Sequence, residues 1–508
     1  MKILPKLPLL SALLLICLPL AARAAAPATA APPAPASSSA AAQLTPCKVD
    51  GETGPVDARC GVFETWENRV TKSGRKIHLK VVVLPARDPH PRPDPVFAFG
   101  GGPGEAITTE AGFLAKTQEE LRKDGQDRDF VFIDQRGTGE PDRLGCDLGM
   151  VRDSRGVADL NSSLGEMFPV DAVRACRAEL EKKYDLTLYT TDIAMDDIDD
   201  ARAWLGYGKI NLTGGSYGTR AVQTFLRRHP GSVRTAILNG VVPMDEALPL
   251  SHAAGGQRSL DLLLGWCEKD PACHAAFPDV RKDLQTVLDR LAQGPVEVEI
   301  EHPVTHQKVT AKVSREIITD GIRWQLYTPD NGARLPLLIH QAAAGSFSPL
   351  AQAALRSKIG LPDLLAIGMF FSVTCAEDIP FIDPAQIAAR TAGSFLSDYR
   401  VRQQMAACAV WPRAKVPAGH QDAVRSDVPV LLISGERDPV TPPAFGERAA
   451  RSLTNSLRIV VPWGSHGGDT ACVDGLQKEV IEKGTVKGID TSCLAKIGMQ
   501  PFETAPKS

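Results

Sequence analysis

The chain lacks several features that would point to other functions. It has no marked excess of one charge, since 57 Lys and Arg stand against 60 Asp and Glu, a formal charge of −3. That balance excludes the strongly basic footprint of a nucleic-acid or anionic-membrane partner. Its N-terminal apolar run, Leu9 to Leu20, falls short of the roughly 20 residues a bilayer-spanning helix needs. No CxxC is matched by a second CxxC or a couple of histidines, so a zinc site has no basis. No internal repeat stands out.

What is present at the N-terminus is a leader. Lys2 and Lys6 precede the apolar run, and Ala22-Arg23-Ala24 offers small residues where a signal peptidase reads. Residues 1–24 are therefore expected to be a cleaved signal peptide, leaving no stable membrane span. A lipoprotein cut at Cys17 is disfavoured by Ile16, where a small residue is wanted. Residues 25–45 are almost all Ala, Pro and Ser and read as a flexible tether. The mature protein is expected outside the cytoplasm, periplasmic or secreted. Of 11 cysteines, loss of Cys17 leaves an even set in an oxidising compartment. Proximity suggests the couples Cys47 with Cys60, Cys146 with Cys176, Cys267 with Cys273, Cys375 with Cys408, and Cys472 with Cys493.

Between 46 and 247 the chain alternates short β-branched runs with helical patterns. Strands are expected at His78 to Leu84, Pro95 to Phe99, Asp129 to Ile133, Lys209 to Thr213 and Arg234 to Leu238. Helices are expected at Ile193 to Leu205 and from Tyr217 onward, where Val222, Phe225 and Leu226 recur at helical spacing. Such alternation argues for an α/β fold with a largely parallel sheet. From 248 to 418 the pattern turns mostly helical, apart from a hairpin-like pair, Val296 to Ile300 and Val309 to Val313. Buried-strand character returns at Val428 to Ile433. A helix near Phe445 to Ser452 and a strand from Leu457 to Val461 follow, within a final part spanning 419–508. One α/β domain interrupted by a large, mostly helical inserted cap is the simplest account. The cap would close over the carboxyl ends of the strands, where open α/β sheets bind ligands.

The strongest motif is Gly214-Gly215-Ser216-Tyr217-Gly218, set between an expected strand and an expected helix. So tight a turn leaves no room for side chains at 214 and 218, and it exposes Ser216 at a helix N-terminus. A serine needs a base and an orienting carboxylate before it is nucleophilic. Ser434-Gly435-Glu436-Arg437-Asp438-Pro439 follows the resumed strand, and Pro462-Trp463-Gly464-Ser465-His466-Gly467 follows the next. Both loops lie at strand carboxyl ends, making Asp438 and His466 the candidate partners, with Glu436 the rival acid. His229, at a helix end, and His302 and His306, beside the hairpin, lack that setting. Phe99-Gly100-Gly101-Gly102-Pro103-Gly104 also follows a strand, and its backbone amides could approach an oxyanion. The expected donors are Tyr217 and either Gly102 or Gly101. A phosphate loop is disfavoured, since neither a Walker lysine nor a GxGxxG helix start follows.

Gly100-Gly101-Gly102-Pro103-Gly104, Asp134-Gln135-Arg136-Gly137-Thr138-Gly139 and Gly214-Gly215-Ser216-Tyr217-Gly218-Thr219 together resemble the proline iminopeptidase group of α/β-hydrolases. The likeness is greater to its exported tripeptidyl-aminopeptidase-like branch, with a long cap and a C-terminal segment bearing Asp and His. It runs in pattern from about Phe63 to Cys493. The shorter iminopeptidases usually begin the first motif with His where this chain has Gly100, which weakens strict proline specificity.

The resemblance implies the α/β-hydrolase fold and a serine exopeptidase acting on peptides with a free N-terminus, without metal or organic cofactor. Acidic groups would hold the substrate ammonium, and Glu377 or Asp378, with Glu105 as a further candidate, are the residues it suggests. Asp134 and Arg136 are expected to brace the loop beside the site rather than act on substrate. Two other functions fit the same residues, an esterase or other acyl hydrolase and an inactive binding protein of the same fold.

Overall fold

The computed structural model describes residues 43–51, 54–113, 127–148, 164–302, 305–468 and 470–506. The expected signal peptide, 1–24, and nearly all of the tether, 25–45, lie outside the described residues. In chain order the strands are β1 Thr45–Gly51, β2 Gly54–Trp66, β3 Lys76–Leu84, β4 Val96–Phe99, β5 Phe130–Ile133, β6 Ile210–Gly215, β7 Val233–Asn239, β8 Val296–Glu301, β9 Lys308–Val313, β10 Val430–Gly435 and β11 Ser456–Val461.

Nine of these form one sheet in the order β1-β2-β3-β5-β4-β6-β7-β10-β11. Every pairing from β5 through β11 is parallel, whereas β1, β2, β3 and β5 pair antiparallel. Every residue of β4 and of β10 is buried, which explains their unbroken apolar runs. Side chains alternate across the pleat, so β10 serves two cores. Val430 and Leu432 pack with Ala221, Val222 and Phe225 of the helix Tyr217–Arg228. Leu431 and Ile433 pack with Val473, Leu476 and Val480 of the helix Ala471–Lys483. The sheet is thereby covered on both faces, the arrangement of an α/β-hydrolase.

β1 and β2 were not anticipated. Much of β2 is half-exposed, and a sheet edge of that kind carries no clean alternation of apolar and polar residues. The disulfide Cys47–Cys60 joins the two strands, and the other four expected couples are disulfides as well.

Between β7 and β10 the described chain is helical except for the hairpin β8–β9. Helices His252–Lys269, Arg315–Gln325 and Pro329–Ala343 share a core that includes Leu260, Leu264, Ile318, Ile322 and Leu338. Helices Ile367–Glu377 and Tyr399–Val410 pack in another, around Phe168, Phe371 and Trp411. Among the described residues no helix is long and apolar enough to cross a membrane.

Candidate active site

Ser216 sits where β6 turns into the helix Tyr217–Arg228, with φ 54° and ψ −122°. A non-glycine residue in that region is strained and persists only where its surroundings enforce it. Here they do. A Cβ on Gly214 would lie 2.4 Å from the Gly218 carbonyl oxygen, and one on Gly218 would lie 2.4 Å from that of Phe99. The Ser216 amide donates to the Asn239 carbonyl at 2.9 Å, tying the turn to the end of β7. Beneath it the Tyr217 hydroxyl meets Thr191 Oγ1 at 2.7 Å and donates to Gln135 Oε1 at 3.3 Å. Burial, with the Glu377 charge nearby, pushes the Tyr217 phenol well above its usual range, so it stays neutral.

Asp438 and His466 come from the loops after β10 and β11, which touch. A Cβ on Gly435 would fall 1.9 Å from the Ser465 carbonyl oxygen. Asp438 is 0% exposed and takes hydrogen bonds from Val440 N at 2.9 Å, Thr441 N at 2.7 Å and Thr441 Oγ1 at 2.6 Å. His466 Nδ1 completes the set at 2.9 Å. Burial alone would raise the Asp438 carboxyl, but the His466 ring and the Thr441 donors outweigh it and hold the carboxyl below its ordinary value. A carboxylate only accepts, so Nδ1 carries the imidazole proton and Nε2 is left as the basic nitrogen. The ring is placed by Tyr327, whose carbonyl accepts the His466 amide at 3.1 Å and whose ring meets the imidazole edge to face at 4.9 Å. Glu436, the rival acid, accepts the Trp463 amide at 2.9 Å instead.

The loop Gly100–Glu105 is held from the helical segment. Ala366 N donates to the Gly104 carbonyl at 2.8 Å, and Glu105 bridges to Leu365. Farther along, Asp134 accepts from Thr108 N at 2.9 Å and Thr108 Oγ1 at 2.8 Å. Arg136 is fully buried against Asp197 at 2.7 Å and against the carbonyls of Glu67 and Leu188. Both residues are engaged within the protein. The Gly101 amide donates to Glu105 Oε2. Burial raises the Glu105 carboxyl despite that bond.

Ser216 and His466 line one cavity of about 310 Å³, together with Gly101, Gly102, Glu105 and Tyr217. Phe168, Trp324, Leu365 and Phe370 supply apolar wall. The acidic candidates part company here. Glu105 and Asp378 line the cavity, and Glu377 does not. Glu377 is 1% exposed and is taken up by Thr191 N at 2.6 Å and Thr191 Oγ1 at 2.8 Å. Asp378 is already paired with Arg220 at 2.6 Å and accepts the Leu248 amide at 2.9 Å. Glu105 is thus the acid on this wall without a cation partner among the described residues.

Thr441 and Arg437 were missed from the sequence. Thr441 follows Asp438 by three residues, a spacing at which a hydroxyl can turn back onto a carboxylate. Arg437 donates to the Leu326 and Thr328 carbonyls at 3.0 Å each, fastening the Asp438 loop to the helical segment. Nothing local in the sequence announces that reach. Among the described residues no cluster of three His, Cys, Asp or Glu side chains is arranged to hold a metal ion.

Comparison with known proteins adds two family matches, "alpha/beta hydrolase fold" over residues 94–265 and "TAP-like protein" over residues 393–493. Serine protease Hip1 of Mycobacterium tuberculosis (strain H37Rv) is 24% identical over 393 residues, covering 70% of this chain and 72% of that one. Among solved structures, a proline iminopeptidase from Mycobacterium smegmatis is 14% identical, with 86% of this chain and 98% of that one covered at a TM-score of 0.35. A thermophilic esterase from Thermogutta terrifontis is also 14% identical, with 87% and 100% covered at a TM-score of 0.33.

Proposed function

This chain is an α/β-hydrolase with a TAP-like C-terminal segment, and we propose that it is an exported serine aminopeptidase. It would remove single residues or di- and tripeptides from a free N-terminus through an acyl-enzyme. Ser216 attacks the carbonyl carbon while His466 Nε2 takes its proton, and Asp438 stabilises the imidazolium that forms. The tetrahedral oxyanion is held by the amides of Tyr217 and Gly102. The Gly101 amide is engaged by Glu105, which favours Gly102 as the second donor. His466 then protonates the leaving amine, and water attacks the acyl-Ser216 ester by the same base.

One observation carries the peptidase reading. The Glu105 carboxylate lies on the loop facing Ser216, inside the cavity that His466 also lines. A substrate ammonium entering that space needs an anion beside it, because an unpaired buried cation is costly. Five disulfides and the leader-like N-terminus support export to an oxidising compartment, periplasmic or extracellular.

The apolar wall of Phe168, Leu365 and Phe370 favours one second reading, an esterase for apolar acyl groups. Both are tested by assaying mature protein and Ser216→Ala on chromogenic aminoacyl, dipeptidyl and tripeptidyl amides, each free and N-acetylated. Serine-dependent turnover of the free-amine forms alone establishes the aminopeptidase, and the best chain length gives its type. Equal turnover of acetylated forms, or of simple esters only, overturns it.

A further inference from the structure

The wall of the cavity formed by the helix Tyr399–Val410 carries a guanidinium that forms no ion pair among the described residues, the nearby Asp320 being paired with Arg323. Arg400 lines the cavity with its cation 4.9 Å over the Phe168 ring and 5.8 Å over the Phe370 ring. Its Nη1 is buried and has no hydrogen-bond partner among the described residues. Other buried arginines around the site are matched. Arg220 pairs with Asp378, Arg323 with Asp320, and Arg437 with two carbonyls. Ring faces hold an arginine by its flat side and leave the N–H edge free to donate. Burial, with the Arg323 charge close by, brings the Arg400 pKa down to about 10, so it is still a cation at neutral pH.

Three further polar atoms on the cavity's lining residues lack partners among the described residues, one of them Nε of Arg220, whose guanidinium is otherwise held by Asp378. Gln404 lies four residues on, on the same helix face as Arg400, and its Oε1 is buried without a partner. His252 Nδ1 is likewise unpartnered. Burial, followed by the charges of Arg323, Arg400 and His466, holds that imidazole well below its ordinary pKa, so it is neutral. The wall therefore offers a positive charge without an ion-pair partner among the described residues, beside the neutral Gln404 and His252, which can donate or accept. Native structures rarely leave such groups without a partner.

We infer that Arg400, with Gln404 and His252 beside it, is a subsite for a carboxylate carried by the substrate. This deepens the aminopeptidase reading and rests on it. One unmatched guanidinium suits one monoanion better than a dianionic phosphate, and the fork of N–H groups suits a planar carboxylate. With Glu105 as the unmatched anion and Arg400 as the unmatched cation, the cavity is complementary to a zwitterion. The carboxylate could be the C-terminus of a short peptide or the side chain of an Asp or Glu residue.

The test compares wild type, Arg400→Gln and Arg400→Lys on tri-alanine, tri-alanine amide, and the amide with Glu replacing the last Ala. The wild type is expected to prefer one carboxylate-bearing peptide over tri-alanine amide in kcat/KM by about ten- to hundredfold. Preference for tri-alanine identifies the C-terminus, and preference for the Glu peptide identifies a side chain. Arg400→Gln is expected to bring that ratio close to one, and Arg400→Lys to restore part of it. A ratio unchanged by Arg400→Gln, or no preference in the wild type, overturns the subsite. If the wild type cleaves no peptide, the aminopeptidase reading fails on its own, and a second readout still decides the subsite. Labelling of Ser216 by a fluorophosphonate is then followed with hexanoate or hexanamide present. Slower labelling with hexanoate only, lost in Arg400→Gln, supports the subsite, and equal effects of the two compounds overturn it. Thermal melts of each variant show that the fold is retained.

Discussion

Glu105 Oε2 accepts the backbone N–H of Gly101, so the loop facing Ser216 has turned one of its own amides onto a carboxylate. The same bond decides which amides remain for an oxyanion and sets a negative charge close to where one develops. A carboxylate there would oppose the transition state unless a cation covered it. A substrate ammonium is such a cation, which links the geometry of this loop to the proposed requirement for a free N-terminus.

Glu105→Gln is therefore expected to raise KM for free-amine substrates by roughly ten- to hundredfold, the range for losing a hydrogen bond to a charged group. N-acetylated esters should change far less. Burial raises the Glu105 carboxyl, so the folded state favours its neutral form. That contribution to stability is present below the unfolded pKa and is lost as pH rises through the folded one. The variant should accordingly melt at a higher temperature than wild type at pH 8 and at about the same temperature at pH 4. Melting curves at the two pH values check this, and an equal shift at both would contradict it.

Asp438→Asn should lower kcat by about 10⁴-fold with the fold intact, because an amide in place of the carboxylate leaves His466 in the wrong tautomer. Thr441→Val should lower kcat/KM by about tenfold, since Asp438 loses one charge-assisted hydrogen bond. The Asp438 carboxyl is held low in the folded state, so its stabilising effect is lost as pH falls through that lowered value. Removing Thr441 Oγ1 moves the value up, and the midpoint of acid unfolding should move up with it. Acid titrations followed by near-ultraviolet circular dichroism give that midpoint for the variant and wild type.

The candidate site residues legible ahead of the structure are those whose local chain demands them. Gly214 and Gly218 are required by contacts of 2.4 Å, and Asp438 and His466 follow strands whose apolar runs are plain. Arg437 meets carbonyls, and Arg400 meets ring faces, that only folding brings close, and an isolated arginine in the sequence reads as a solvated surface. The Glu377 and Asp378 pair illustrates the same limit. They close the helix Ile367–Glu377, where successive side chains diverge by about 100°, so one enters the core and the other the cavity. β1 and β2 escaped notice for another reason, being largely exposed or half-exposed strands at one end of the sheet, set by pairing rather than by pattern.

Gly218→Ala tests whether the strained turn depends on contact between β4 and the helix that follows Ser216. Its Cβ would lie 2.4 Å from the Phe99 carbonyl oxygen and 2.9 Å from that of Gly100. Backbone must move on one side or the other, at a cost of about 1–3 kcal/mol or more. Because Phe99 leads directly into Gly100–Glu105, activity should fall further than stability alone explains. Urea unfolding and fluorophosphonate labelling rates, measured on the same preparation, separate the two effects. A labelling rate equal to wild type would show that the oxyanion loop does not depend on this contact.

The disulfide Cys375–Cys408 closes a separation of 33 residues and joins the helix Ile367–Glu377 to the helix Tyr399–Val410. The first helix brings Ile367, Phe370 and Thr374 to the cavity, and the second brings Arg400 and Gln404. In the chain-entropy account a link across such a separation contributes about 3–4 kcal/mol. Cys375→Ser combined with Cys408→Ser should lower stability by that order. It should also raise KM more than it lowers the rate of Ser216 labelling, since Asp438 and His466 are carried on the loops after β10 and β11 rather than on these helices. Loss of labelling in parallel with binding would show instead that the two helices hold the nucleophile as well as the wall. The same dependence predicts that protein made under reducing conditions shows the weakened binding of the double variant, and that oxidative refolding repairs it.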